Sequence, residues 1–91
     1  PTEYQSQAEL IYPGYILSEG IQNNDVLRLQ NFLQTISETN PSVPSVDTTG
    51  IFDENTAAAV SALQSLYGIP VTGTVGTITW QKIIELYNTA A

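Results

Sequence analysis

The chain has 91 residues, 42% of them hydrophobic and only 12% charged, with a net charge of −7 and just two cations, Arg28 and Lys82. That length allows one modest core. So few cations exclude nucleic acid as a partner, because a phosphate backbone needs several Lys or Arg to displace its counterions, and they disfavour an anionic membrane surface for the same reason.

The charged fraction is about half the usual ~25%, so the surface must be rich in Thr, Ser, Asn and Gln. There is no Cys, His or Met. Disulfides therefore cannot hold the fold, and the missing Met leads to the expectation of a piece excised from a larger protein. No apolar run approaches the ~18 residues that a membrane span requires.

Residues 1–11 carry little hydrophobic pattern and are expected to form a linker or extended tail, with the domain proper spanning 12–91. Pro13-Gly14 suits a type II turn, since Pro presets φ and Gly supplies φ > 0. Tyr15-Ile16-Leu17 is expected to lie extended against the core, and Glu19-Gly20 to open another turn. A first helix is expected from Asn24 or Asp25, either of which can cap it. Its apolar stripe is Val26, Leu29, Phe32, Leu33 and Ile36. Arg28, Gln30, Asn31 and Gln34 are expected to face away or to lie on its edges. Pro41 ends it.

Residues 37–49 form a stretch longer than the usual ~4–6 residue connection. Pro41 and Pro44 stiffen it, and Val43 and Val46 can dock on the core. Such a stretch fits either a binding loop or a structural insertion.

Asp53 is placed to cap a second helix, at the positive end of its dipole. Ala59, Val60, Leu63, Leu66 and Tyr67 are its expected buried face. Gly68 as a left-handed cap, Ile69 folding back and Pro70 close it. A third helix is expected near Thr77, with Trp80, Ile83, Ile84 and Tyr87 at i, i+3, i+4 and i+7, and residues 88–91 fraying.

One motif occurs twice. Gly50-Ile51-Phe52-Asp53-Glu54-Asn55-Thr56 is matched by Gly73-Thr74-Val75-Gly76-Thr77-Ile78-Thr79, and each runs into a helix. Ahead of them, Val26-Leu27-Arg28-Leu29-Gln30 matches Val60-Ser61-Ala62-Leu63-Gln64. Gln30 to Gly50 spans 20 residues and Gln64 to Gly73 spans 9, so the first copy holds an 11-residue insertion. Two copies sharing the middle helix predict an all-α fold, a compact three-helix bundle with a pseudo-twofold internal repeat.

Within that repeat Phe52 and Val75 read as core plugs. Thr56 and Thr79, in first helical turns, can cap or bridge backbone groups. Gln30 and Gln64 are placed to hydrogen-bond loop backbone. Trp80 and Tyr67 fit either the core or a sugar-stacking platform. Asp47 and Asp53 flank a Gly turn without the alternating ligands of a calcium loop. With no His or Cys as base, nucleophile or zinc ligand, neither catalysis nor a metal or other cofactor is expected.

Tyr12-Pro13-Gly14, Leu17, Gly20, Val26, Leu29-Gln30, Gly50-Ile51-Phe52, Thr56, Ala59-Val60, Leu63-Gln64 and Gly73-x-Val75-Gly76-x-x-Thr79-Trp80 together resemble the peptidoglycan-binding-like domain family. These are small three-helix modules of bacterial cell-wall and spore-cortex hydrolases, and the Tyr-Pro-Gly lead-in is similar to versions found in Firmicutes. The sequence departs from the family where Asp53 replaces a Gly, where Thr49 and Thr72 replace Asp, where Gly20-Ile21-Gln22-Asn23-Asn24 replaces a Gly/Ser-rich lead, and where Leu63 replaces an aromatic.

The resemblance implies a noncatalytic module outside the cell, at the wall or spore envelope. Its expected partners are peptidoglycan, through glycan and stem peptide, and a tethered catalytic or wall domain. The candidate ligand contacts are Gln30, Asn55, Thr56, Gln64, Tyr67 and Trp80, beside the inserted loop. The alternative is a structural or protein-interaction module that docks a neighbouring domain without binding peptidoglycan.

Overall fold

The computed structural model describes residues 11–90, and the expected tail falls almost wholly outside them. Three helices make up the described region: α1 (Asn24–Thr39), α2 (Glu54–Leu66) and α3 (Thr77–Ala90). Two isolated antiparallel bridges, Leu17 with Val75 and Gln22 with Ile51, are the only extended pairings among the described residues. The fold is all-α.

α1 begins where expected but is capped one residue earlier. Asn23 is the cap, its Oδ1 accepting the Val26 N–H at 3.0 Å. Asp25 has a different role. It pairs with Arg28 one turn on and accepts a hydrogen bond from the Tyr15 hydroxyl at 2.7 Å. The Tyr15 hydroxyl in turn accepts from Asn23 Nδ2 at 2.7 Å, which ties the lead-in segment to the start of α1. The buried stripe is Val26, Leu29, Phe32, Leu33 and Ile36, as the spacing predicts, joined by Gln30. Gln30 was expected at an edge, yet it is fully buried.

α2 ends as its sequence requires. Gly68 adopts φ +72° and the Ile69 N–H reaches back to the Gln64 carbonyl at 2.9 Å, closing the carbonyl end of the helix. Its buried stripe runs Thr56, Ala59, Val60, Leu63 and Gln64. Leu66 lies off that stripe and is 46% exposed, against the expectation that it is core. α3 also differs from expectation, since it stays helical through Ala90 rather than fraying after Tyr87. The Thr89 hydroxyl donates to the Glu85 carbonyl at 3.1 Å within that last stretch.

α1 packs on α3. Their interface is aromatic: Phe32 meets Trp80 edge-on at 5.7 Å between ring centroids, and Tyr87 at 4.7 Å. Tyr12 covers Trp80 from the lead-in segment at 6.0 Å. Phe52 and Val75 plug the core from the two glycine loops, and Leu17 joins them. Full burial of one such side chain contributes roughly 1.5–3 kcal/mol.

The lead-in segment also binds both loops through backbone. Leu17 exchanges two N–H···O bonds with Val75, at 3.0 and 2.8 Å. Gly20 N–H donates to Phe52 O, Phe52 N–H to Ile21 O, and Asn23 N–H to Gly50 O, all at 2.9–3.0 Å. The inserted loop is docked on the body, with Val43 and Val46 buried. Gln34 Oε1 accepts the Val46 N–H at 3.2 Å, and Asn40 Nδ2 donates to the Tyr67 hydroxyl at 2.8 Å.

Candidate functional site

The two glycine loops are held by the same hydrogen-bond set. Gln30 Oε1 accepts the N–H groups of Thr49 and Gly50, at 2.9 and 2.8 Å. Its Nε2 donates to Ile51 O at 2.8 Å and to Thr56 Oγ1 at 3.0 Å. In the second copy, Gln64 Oε1 accepts the N–H groups of Thr72 and Gly73, both at 3.0 Å. Its Nε2 lies 3.0 Å from Thr74 O and 3.1 Å from both Thr79 Oγ1 and Thr72 Oγ1. Each glutamine thus satisfies backbone groups that burial would otherwise leave unpaired.

Thr49 and Thr72, each one residue before its loop glycine, perform matching turn chemistry. Thr49 Oγ1 accepts the Ile51 N–H at 3.1 Å, and Thr72 Oγ1 accepts the Thr74 N–H at 3.2 Å. A hydroxyl two residues upstream makes the same local closure that a carboxylate would.

The copies diverge at the start of their second helix. Asp53 caps α2 by accepting the Thr56 N–H at 2.9 Å and its hydroxyl at 3.1 Å. These bonds, led by that backbone N–H, hold the Asp53 carboxyl below its ordinary value. The corresponding residue before α3 is Gly76, whose carbonyl accepts the Trp80 N–H at 2.9 Å but which has no side chain to offer. Asn55 in the first copy is replaced by Ile78 in the second.

Beside that uncapped end lies an open groove of about 330 Å³, lined by Ile16, Ile69, Pro70, Thr72, Thr74 and residues 76–79. Among the described residues no charged one lines it, on a chain of net charge −7. Its walls keep apolar surface in water, with Ile78 69% and Ile16 59% exposed. An uncharged, largely apolar cleft with threonine hydroxyls at its edge can hold methyl-bearing groups and orient neighbouring amides.

The structure separates the sequence-derived candidates. Gln30, Thr56, Gln64 and Trp80 are buried, so none presents its side chain at the surface. The first three hold the loops, and Trp80 packs between Phe32 and Tyr12. Asn55 is exposed. Tyr67 is half-buried, its hydroxyl bonded by Asn40 and its ring 5.5 Å from Lys82 Nζ. None of the groove residues Ile16, Ile69, Pro70 and Ile78 was expected as a ligand contact: Ile16 was expected against the core, from which its exposure departs, and Ile69 and Pro70 only as the close of α2. Their signal was present in Ile78, which falls outside the Trp80, Ile83, Ile84 and Tyr87 stripe, and in Gly76, which stands where the other copy has a cap.

A family model described as a putative peptidoglycan binding domain matches residues 22–83. Among solved structures the chain is similar to the crystal structure of the SleB N-terminal domain, with a TM-score of 0.71 and 25% identity, over 85% of this chain and 99% of that one. No curated protein sequence matches. With its model covering most of the described residues, the chain belongs to the putative peptidoglycan binding domain family.

Proposed function

We propose that this peptidoglycan-binding module is noncatalytic, works at the bacterial wall or spore envelope, and takes the stem peptide in the groove at the start of α3. The groove carries the reading. Stem peptides are rich in alanine, whose methyl groups suit Ile16, Ile69, Pro70 and Ile78. The Thr72, Thr74 and Thr77 hydroxyls, with the uncapped N–H groups of the first α3 turn, supply hydrogen bonds to peptide carbonyl or carboxylate.

Binding of this kind raises the local concentration of a tethered partner on its polymer rather than cutting it. Gln64 serves it indirectly, by fixing the turn of residues 72–74 that lines the groove, whereas Gln30 and Thr56 hold the first loop and Trp80 packs in the core. Asn55 and Tyr67 keep accessible side chains and are proposed as outer contacts.

Titration of the 15N-labelled domain with a soluble muropeptide tests the reading. Shifts should gather at Ile16, Ile69, Thr72, Thr74 and residues 76–79. Shifts scattered over the surface, or none at saturating muropeptide, would count against it. The groove would then be a docking face for a neighbouring domain.

A further inference from the structure

The groove is built from two parts of the chain. Most of its lining lies within residues 69–79, which close α2 and open α3 and fall inside the 22–83 span that the family model matches. Ile16 is the one lining residue among the described residues that comes from elsewhere, and it lies outside that span. One wall of the groove is therefore supplied by the lead-in segment rather than by the matched part of the chain.

We propose that Ile16 is the specificity-determining residue of the groove, the wall that fits it to alanine-sized side chains and turns larger ones away. The inference rests on the peptide reading above and names the residue that decides which peptide fits.

Three observations carry it. First, Ile16 is held from both sides. Leu17, next in the chain, is fully buried and exchanges two backbone hydrogen bonds with Val75, at 3.0 and 2.8 Å. Tyr15, just before it, is tied to the start of α1: its hydroxyl accepts from Asn23 Nδ2 and donates to Asp25 Oδ2, both at 2.7 Å. A residue anchored through both neighbours cannot easily withdraw to admit a larger ligand. Its branched β-carbon also restricts the side chain to few rotamers, which makes the wall stiff.

Second, the Ile16 side chain gives little to the core. It is 59% exposed where Leu17 is fully buried, as alternation along an extended segment requires. Its apolar surface is thus available to a ligand.

Third, Ile16 lies across the start of α3. A β-carbon built on Gly76 would sit 3.9 Å from Ile16 Cγ1. The helix offers no side chain at that point, so the width of the groove there is set by Ile16. In the first copy the same position holds Asp53, whose carboxylate is turned onto its own helix.

The test is calorimetric titration of wild type and Ile16→Ala with two probes, a synthetic stem peptide and its analogue carrying leucine in place of each alanine. Ile16→Ala removes as many carbons as leucine adds to alanine, and the exposure of Ile16 means that melting should be nearly unchanged. One methylene in an apolar site is worth about tenfold or more. Wild type should therefore prefer the alanine peptide by at least about tenfold. In Ile16→Ala the alanine peptide should weaken and the leucine peptide should tighten, bringing their ratio to about one or below.

A residue with a merely structural role would weaken both peptides by the same factor and leave the ratio where it was, and that result would overturn the proposal. So would a wild type that binds both peptides equally, although the peptide reading itself would stand. A wild type that binds neither peptide would defeat the peptide reading and this proposal together.

Discussion

Gln30 and Gln64 show how a single side chain sets a loop. Each is buried, each accepts two backbone N–H groups at the glycine of its loop, and each donates to a backbone carbonyl and a threonine hydroxyl. Replacing Gln64 by Ala takes away the partner of the part-buried N–H groups of Thr72 and Gly73 and of the Thr74 carbonyl. At ~1–3 kcal/mol for each unsatisfied group, the variant should lose about 3 kcal/mol or more, a large share of the ~5–15 kcal/mol that holds a small domain. Urea unfolding checks this, and Gln30→Ala should behave alike because its bonds are the same. A loss below ~1 kcal/mol in both would mean that the loops hold their shape without the glutamines.

At the scale of the element, α2 and α3 start differently and should respond differently to acid and to substitution. The Asp53 carboxyl is held below its ordinary value, first of all by the Thr56 N–H it accepts. Its stabilising effect is therefore fully present above that ordinary value and is lost as the pH falls through the lowered folded one. Wild type and Asp53→Asn should converge in stability as the pH drops into that range and separate above it, as read by urea midpoints across a pH series.

α3 has Gly76 where α2 has Asp53, and a β-carbon there would meet nothing nearer than Ile16 Cγ1 at 3.9 Å. Gly76→Asp should therefore supply the missing cap and stabilise the domain by roughly a few tenths of a kcal/mol. The same carboxylate would sit in the groove and occupy the N–H groups proposed for the ligand, so peptidoglycan binding should fall as the melting temperature rises. Binding that survives the added cap would argue that the start of α3 takes no part.

For the whole molecule, much of the fold was legible in the chain. Long periodic stripes such as Val26, Leu29, Phe32, Leu33 and Ile36 define their helices because one face must be buried, and the repeated Gly…Thr motif places the loops. Finer features were not legible, for physical reasons. Asn23, Asn24 and Asp25 are three capping residues in a row, and only the tertiary bonds of Asp25 to Arg28 and Tyr15 leave the cap to Asn23. Gln30 reads as an edge residue until the loop that spends its hydrogen bonds is folded over it. The groove is assembled from Ile16, Ile69, Pro70 and Ile78, which come from three separate stretches, so no window of sequence contains it. The buried fates of Thr56 and Trp80 follow the same pattern, since a residue type suited to ligand contact was needed first by the architecture.

The central claim is that the uncharged groove at the start of α3 holds the domain on peptidoglycan. Ile78 is 69% exposed in that groove, so Ile78→Asp removes no core packing, and an acidic residue in a first helical turn is favoured by the helix dipole. The direct measurement is cosedimentation of wild type and Ile78→Asp with purified sacculi stripped of other wall polymers, with melting temperatures taken in parallel. Wild type should pellet with the sacculi, and Ile78→Asp should stay in the supernatant with its melting temperature unchanged. Equal pelleting of both proteins, or wild type left in the supernatant, would contradict the account.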